Sequence, residues 1–189
     1  MIRQDDPGGQ MPDISPRENA ALEWWFFQGR IEGKALGQRD FMLSLFRHRG
    51  RGNAGDGHML LASTLDPANG RQRITSQVSP QLIDNFLREM PQEARALDFD
   101  SHVVDAFVQE IAVGGPPSPI RRIEDAVETG AAPFSLRWNG TRIAAGDDTI
   151  ELAFTLPEEE IACALTARAQ ASWLTAQPLE RDVATMAYD

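Results

Sequence analysis

Residues 23–30 read Glu23-Trp24-Trp25-Phe26-Phe27-Gln28-Gly29-Arg30, and the rest of the chain can be arranged around them. Four aromatic side chains follow a carboxylate here, although the whole chain has only 4 Trp, 1 Tyr and 9 Phe in 189 residues. Successive side chains of an extended strand point to opposite faces, so Trp24 and Phe26 share one face while Trp25 and Phe27 share the other. We therefore expect a strand that is covered on both faces or that turns one face towards a cavity.

A second segment repeats this design and reads Phe41-Met42-Leu43-Ser44-Leu45-Phe46-Arg47-His48. It is apolar on both sides and ends in two basic residues. Residues 31–40, which connect the two segments, hold two glycines and suit a hairpin. We predict that the strands pair antiparallel, with Trp24 and Trp25 near the end that carries Arg47 and His48. A chemical centre, if the domain has one, is expected at that end.

Together with a third strand, His58-Met59-Leu60-Leu61-Ala62-Ser63, these segments resemble the opening of the AttH/carotenoid 1,2-hydratase (CrtC-like) family. That opening has Glu-Trp-Trp-aromatic, then a basic position, then a strand of the form Phe-x-Leu-x-Phe-Phe-Arg. The resemblance covers residues 20–65 and extends to about residue 175 by architecture. It implies an antiparallel lipocalin-like (calycin-type) β-barrel whose ligands are hydrophobic isoprenoid-like or polyketide-like molecules.

The chain departs from this family in two respects. Phe26 stands where tyrosine is usual, and the chain is too short for the two tandem barrels of the family. A reaction whose residues lie in the second barrel therefore cannot be carried over. A second barrel in another chain, or a homodimer, is expected as a substitute.

The remaining sequence predicts a mainly β chain with a short helical insertion. We expect a polar, loosely ordered leader over residues 1–19, a single barrel domain over 20–176 and a C-terminal extension over 177–189. Within the domain, apolar residues recur at helical spacing over about 80–113. The role of that insertion stays open, since it could cover the barrel mouth or meet a partner.

Helix-capping and turn residues mark the ends of these helices and strands. Ser79 is predicted to cap a first helix that ends at Pro91, and Ser101 is predicted to cap a second helix over residues 102–113. The dipeptide Asn139-Gly140 predicts a tight hairpin between two later strands.

Composition excludes several classes of function. A net charge of −10, from 28 acidic and 18 basic residues, argues against nucleic acid and against an anionic membrane surface as partners. The single cysteine, Cys163, leaves no internal disulfide and fits a reducing compartment. The N-terminal residues lack the apolar core of a signal peptide, so we expect a cytoplasmic protein.

Neither a metal nor another cofactor is predicted. The three histidines (His48, His58 and His102) have no i, i+4 or His-x-His spacing of the kind that zinc sites use. Cys163 lies in a strand of small residues with no marked base nearby, so we interpret it as a buried, inert thiol.

Glu23 is the candidate catalytic residue, and it has two interpretations. If it faced the barrel interior beside the tryptophans, desolvation would raise its pKa and make it a general acid, which alkene hydration needs. Alternatively, it pairs with Arg47 or Arg30 on the neighbouring strand and holds the register of the hairpin. The pairing is favoured because it leaves no uncompensated charge.

Three functions from different classes follow. The first is a lipocalin-like module that binds a hydrophobic small molecule in its barrel. The second is an acid–base enzyme, a hydratase (lyase), cyclase or isomerase, in which Glu23 donates a proton. The third is a structural barrel that acts through protein contacts of its helices. The first is preferred, and its predicted ligand-binding residues are Trp24, Trp25, Phe27, Phe46, Arg47, His58 and Trp138.

Overall fold

The computed structural model describes residues 2–4, 14–33, 37–52, 54–131, 133–147, 149–156, 161–168, 174–176 and 187–188. Contacts divide the chain into two compact units. We call Asn19–Ala126 the middle unit, and Met1–Glu18 with Val127–Asp189 the end unit.

Within the described ranges the chain forms thirteen strands and two helices. In chain order they are β1 (Ile2–Gln4), β2 (Leu22–Gly33), β3 (Gly37–His48), β4 (Gly57–Asp66), β5 (Arg71–Val78), α1 (Pro80–Ala96), α2 (Ser101–Gly114), β6 (Ile120–Arg122), β7 (Glu128–Ala131), β8 (Phe134–Trp138), β9 (Thr141–Ala145), β10 (Thr149–Leu156), β11 (Ile161–Arg168), β12 (Leu174–Ala176) and β13 (Ala187–Tyr188).

The sheet of the middle unit has the strand order β2-β3-β4-β5-β6. Strands β2 to β5 are successive antiparallel hairpins, whereas β6 joins the edge of the sheet parallel to β5. The register places Glu23 opposite Arg47 and Trp25 opposite Leu45. The hairpin predicted for β2 and β3 is therefore confirmed, including the end at which the tryptophans lie.

This sheet has two different faces. One, which we call the buried face, carries Trp25, Leu45, Leu60 and Gln77 in one row across four strands, and all four side chains are buried. The opposite face, which we call the open face, carries Trp24 and other exposed apolar side chains (Leu22, Phe26 and Ile74). Strand alternation makes the two tryptophans differ in this way.

The helices pack against one end of the open face. Val78 of β5, Ile83 of α1 and Ile111 of α2 form a buried apolar cluster. Gly57 allows the close approach of α1, because a Cβ atom at this position would lie 2.5 Å from the Leu82 Cα. Burying these aliphatic side chains stabilises the contact by about 1.5–3 kcal/mol for each fully buried side chain.

The first helix begins as predicted but ends later. The Ser79 hydroxyl accepts a hydrogen bond from the Leu82 N–H at 3.3 Å, so it caps α1, and Pro80 occupies the first turn. The prediction that Pro91 ends this helix is wrong, because α1 continues to Ala96. Proline removes one hydrogen bond from the ladder, but the buried Ala94 anchors the turn that follows.

The second helix also differs at its start. Its N-cap is Asp100 rather than Ser101, and the Asp100 carboxylate accepts a hydrogen bond from the His102 N–H at 2.8 Å. Both residue types favour this position, so a sequence assignment one residue out is a small error. The helix ends before Gly115, whose φ of 78° suits glycine.

The end unit contains two further sheets. Strands β7 to β11 form a meander in chain order, and β1, β12 and β13 form a separate sheet of three short strands. The predicted turn at Asn139-Gly140 is confirmed, with φ values of 42° and 78° that match the tight hairpin type. One face of the meander is buried and includes Leu136, Trp138 and Ile143.

The chain is thus mainly β, as predicted. Among the described residues, neither five-stranded sheet pairs its first strand with its last, so neither closes on itself. Much of the predicted leader (1–19) and of the predicted extension (177–189) lies outside the described residues. The single domain over 20–176 stays a prediction.

Candidate functional site

A cluster of charged side chains lies at one end of the middle-unit sheet. The Arg47 Nη2 lies 2.6 Å from the Glu23 Oε2, and the Arg47 Nη1 lies 2.9 Å from the Asp56 Oδ2. The Arg47 and Glu23 side chains are only 10% and 12% exposed, whereas Asp56 is 36% exposed. His58 lies directly opposite Arg47 on β4. We call Glu23, Arg47, Asp56 and His58 the charged cluster.

The strands explain why these four residues meet. Glu23, Arg47 and His58 occupy one row across β2, β3 and β4, on the same face of the sheet. Asp56 precedes His58 by two residues, just before β4 begins. The Arg47 guanidinium can serve two carboxylates because it carries five N–H donors. The sequence therefore places one cation between two anions at the end of the sheet.

Of the two interpretations of Glu23, the ion pair is the one that the structure contains. The partner is Arg47, while Arg30 instead pairs with Asp40 at 2.7 Å. The hydrogen bond from Arg30 lowers the pKa of Asp40, with the positive charge of Arg30 adding to the effect.

His58 is the buried titratable group of this cluster. Burial lowers its pKa to about 4, and the positive charge of Arg47 acts in the same direction, while Asp56 opposes both. Its Nε2 atom is buried and has no hydrogen-bond partner among the described residues, although the ring also bonds to the backbone of Asp56. Near neutral pH the imidazole is therefore uncharged and presents an unused nitrogen.

Aromatic side chains form a second group, on the open face. Trp24 stacks on Phe46 with ring centroids 5.2 Å apart at 12°, and meets Phe26 edge-on at 5.5 Å and 70°. The Trp24 Nε1–H donates a hydrogen bond to the Ser44 hydroxyl, which fixes the indole on the sheet. Trp24 is nevertheless 45% exposed and Phe26 42% exposed. We call Trp24, Phe26 and Phe46 the aromatic cluster.

The predicted ligand-binding residues do not form one site. Trp25 and Phe27 lie on the buried face with Arg47 and His58, and all four share this face with Glu23. Trp24 and Phe46 lie on the open face, on the other side of the same strands. Trp138 is buried in the meander of the end unit. A ligand that stacks on Trp24 therefore does not contact Trp25.

Three contributors were missed by sequence reasoning. Asp56 had a readable signal, because it lies two positions before His58 and strand alternation puts both on one side. Phe26 was predicted to share a face with Trp24 but was not among the predicted ligand-binding residues. Ser44 lies opposite Phe26 in the hairpin. A hydroxyl between aromatic side chains is a candidate acceptor for an indole N–H, and this was the available signal.

The described residues contain no group of three His, Cys, Asp or Glu side chains that could hold a metal ion. Cys163 is buried, and burial raises the pKa of its thiol, which lowers its reactivity. Within the same part of the chain, no helix is both long and apolar enough to span a membrane.

Comparisons with models of protein families, with curated proteins and with solved structures found no match to this chain.

Proposed function

We propose that this protein binds a hydrophobic small molecule on the aromatic cluster of the middle unit. The observation that carries the proposal is that Trp24 and Phe26 are nearly half exposed and yet held in a fixed, mutually packed arrangement. Contiguous exposed apolar patches on soluble proteins mark binding surfaces. Rigid aromatic anchors bind with little loss of conformational entropy.

The shape of the cluster indicates the class of ligand. The indole of Trp24 and the ring of Phe46 are nearly parallel, so a flat or rod-like apolar molecule can continue the stack. Isoprenoid polyenes and aromatic polyketides have this shape, and the resemblance of residues 23–30 to the AttH/CrtC-like family supports the same class. Leu22, two residues before Trp24 on the same face of β2, extends the apolar surface.

A site on the buried face is less well supported. Leu43, Leu45, Leu60 and Ala62 have no exposed surface, so packed atoms surround the centre of that face. The lipocalin-like barrel remains part of the proposal, supported by two antiparallel meanders that each have one apolar buried face. A cytoplasmic location is likewise proposed, on the single buried cysteine.

Binding can be measured with all-trans-retinol as the isoprenoid probe and palmitate as a saturated probe, using retinol fluorescence and competition. Wild-type protein is expected to bind retinol saturably. Trp24→Ala is expected to weaken binding about tenfold or more, since a lost aromatic stack removes about 0.5–1.5 kcal/mol beyond the lost buried area.

Phe99→Ala is the matched control, because Phe99 is an exposed aromatic residue outside the cluster. It should leave the dissociation constant of retinol unchanged. Should Trp24→Ala bind retinol as tightly as wild type, the site does not lie on the aromatic cluster and the proposal fails. Trp24→Phe gives a second test, because it retains a ring and should lose less affinity.

Two alternatives keep specific support. An acid–base enzyme of the hydratase or isomerase type would use the His58 Nε2, which has no hydrogen-bond partner among the described residues, as a base rather than Glu23 as an acid. A protein-contact function, including a homodimer, is supported by exposed Val103 and Val113 on α2. Turnover that survives Glu23→Gln but not His58→Gln would favour the enzyme, and a dimeric mass in light scattering would favour protein contacts.

A further inference from the structure

A groove of about 700 Å³ lies on the end unit, beside strands β7 to β10. None of the predicted ligand-binding residues lines it. Among the described residues, its polar lining has two guanidinium groups, two carboxylates and several hydroxyls, which include Arg137, Arg142, Glu128, Glu151, Ser135 and Thr149. Such a surface is unsuited to the hydrophobic ligand proposed for the middle unit, so the groove needs its own explanation.

The two arginines lie directly opposite each other on adjacent strands. Arg137 of β8 pairs in register with Arg142 of β9. The two-residue turn at Asn139-Gly140 sets this register, so neither arginine can shift without breaking the hairpin. Directly opposed residues have Cβ atoms about 4.5–5.5 Å apart, and like charges at this distance destabilise a sheet.

Among the described residues, Arg142 forms an ion pair and Arg137 does not. The Arg142 Nη2 lies 3.1 Å from the Glu151 Oε2. Among the described residues Arg137 has no ion-pair partner, although Glu128 lies opposite it on β7. Arg137 is therefore a guanidinium that lies beside a second guanidinium and forms no salt bridge among the described residues, so its N–H donors can serve an added anion.

We propose that this groove binds a small oxyanion, a carboxylate or a phosphate, on the guanidinium of Arg137. The planar guanidinium presents parallel N–H donors that match the two oxygens of such groups. The Ser135 and Thr149 hydroxyls supply further donors on the same groove wall.

Two glycines keep the backbone close to these hydroxyls. A Cβ atom at Gly130 would lie 2.7 Å from the Ser135 Oγ, and one at Gly146 would lie 2.7 Å from the Thr149 Oγ1. Side chains at these two positions would displace both hydroxyls. Glycine at both positions therefore preserves the polar wall of the groove.

The test compares thermal unfolding in buffer of low ionic strength with succinate, with inorganic phosphate, and with chloride at matched ionic strength. Wild type is expected to show a saturable rise in Tm of several degrees with succinate or phosphate, because a ligand that binds the folded state stabilises it. The probe with the larger rise at equal concentration identifies the oxyanion as a carboxylate or a phosphate. An equal rise with chloride overturns the proposal.

Arg137→Gln should abolish the response. Arg137→Lys keeps the charge but loses the paired donors, so its response should fall by a large fraction. Arg88→Gln, which removes an exposed arginine of α1, should respond as wild type does. An undiminished response in Arg137→Gln, or an equal loss in Arg88→Gln, overturns the proposal.

Discussion

Replacing Arg47 by methionine removes the cation that Glu23 and Asp56 share. The Glu23 carboxylate, 12% exposed, then stays desolvated without its partner at 2.6 Å, whereas the more exposed Asp56 can regain water. Removing one member of a buried pair costs about 3–5 kcal/mol, and Asp56 rehydration favours the lower value, about 3 kcal/mol. For a chain of this size we expect Tm to fall by roughly 6–12 °C.

The assay is thermal and urea unfolding followed by circular dichroism. Arg30→Met is the matched control, because its pair with Asp40 is exposed and should be worth less than about 1 kcal/mol. The double variant Glu23→Gln with Arg47→Met should recover much of the loss, because it removes the stranded charge. A loss in Arg47→Met no larger than in Arg30→Met, or no recovery in the double variant, would refute the reasoning.

Two further predictions concern pH and α1. Because burial lowers the pKa of His58 from 6.5 to about 4, the unfolded chain binds more protons than the folded one between these values. The contribution of the uncharged His58 to the free energy of unfolding should therefore be fully present above pH 6.5. It should fall towards pH 4, by up to about 3 kcal/mol. Urea midpoints across this range should fall less steeply in His58→Gln, and an identical slope would contradict this account. Pro91→Ala should stabilise the protein by about 1–3 kcal/mol, since it restores a helical hydrogen bond. Pro80→Ala, in the first turn, should have little effect, and equal urea midpoints for the two variants would argue that α1 ends at Pro91.

The candidate sites were predictable to different degrees. The pairing of Glu23 with a neighbouring arginine followed from the hairpin, and the register decided between the two candidates, because Arg47 lies directly opposite Glu23 whereas Arg30 lies seven residues further along the same strand. Arg30 has Asp40 directly opposite, so it is already neutralised. The burial of the His58 imidazole could not be predicted, because burial depends on packing that no local pattern specifies.

Neighbouring residues alone determined the hairpins and the start of α1. Asn139-Gly140 accepts the positive φ that a two-residue turn needs, and Ser79 offers a capping oxygen wherever the next turn becomes helical. These signals depend only on neighbouring residues, so they can be recognised in the sequence without knowledge of the rest of the fold. Alternation likewise put Trp24 and Trp25 on opposite faces.

Only the tertiary structure decided which of those faces is buried and where α1 ends. Alternation is symmetric between two apolar faces, so nothing in β2 itself distinguishes the exposed Trp24 from the buried Trp25. The helix continues past Pro91 to Ala96, and the side chains of Glu89 and Ala94, on either side of the proline, are both buried against the rest of the unit. Both outcomes depend on contacts between residues distant in sequence, and the free energy of those contacts exceeds local preference.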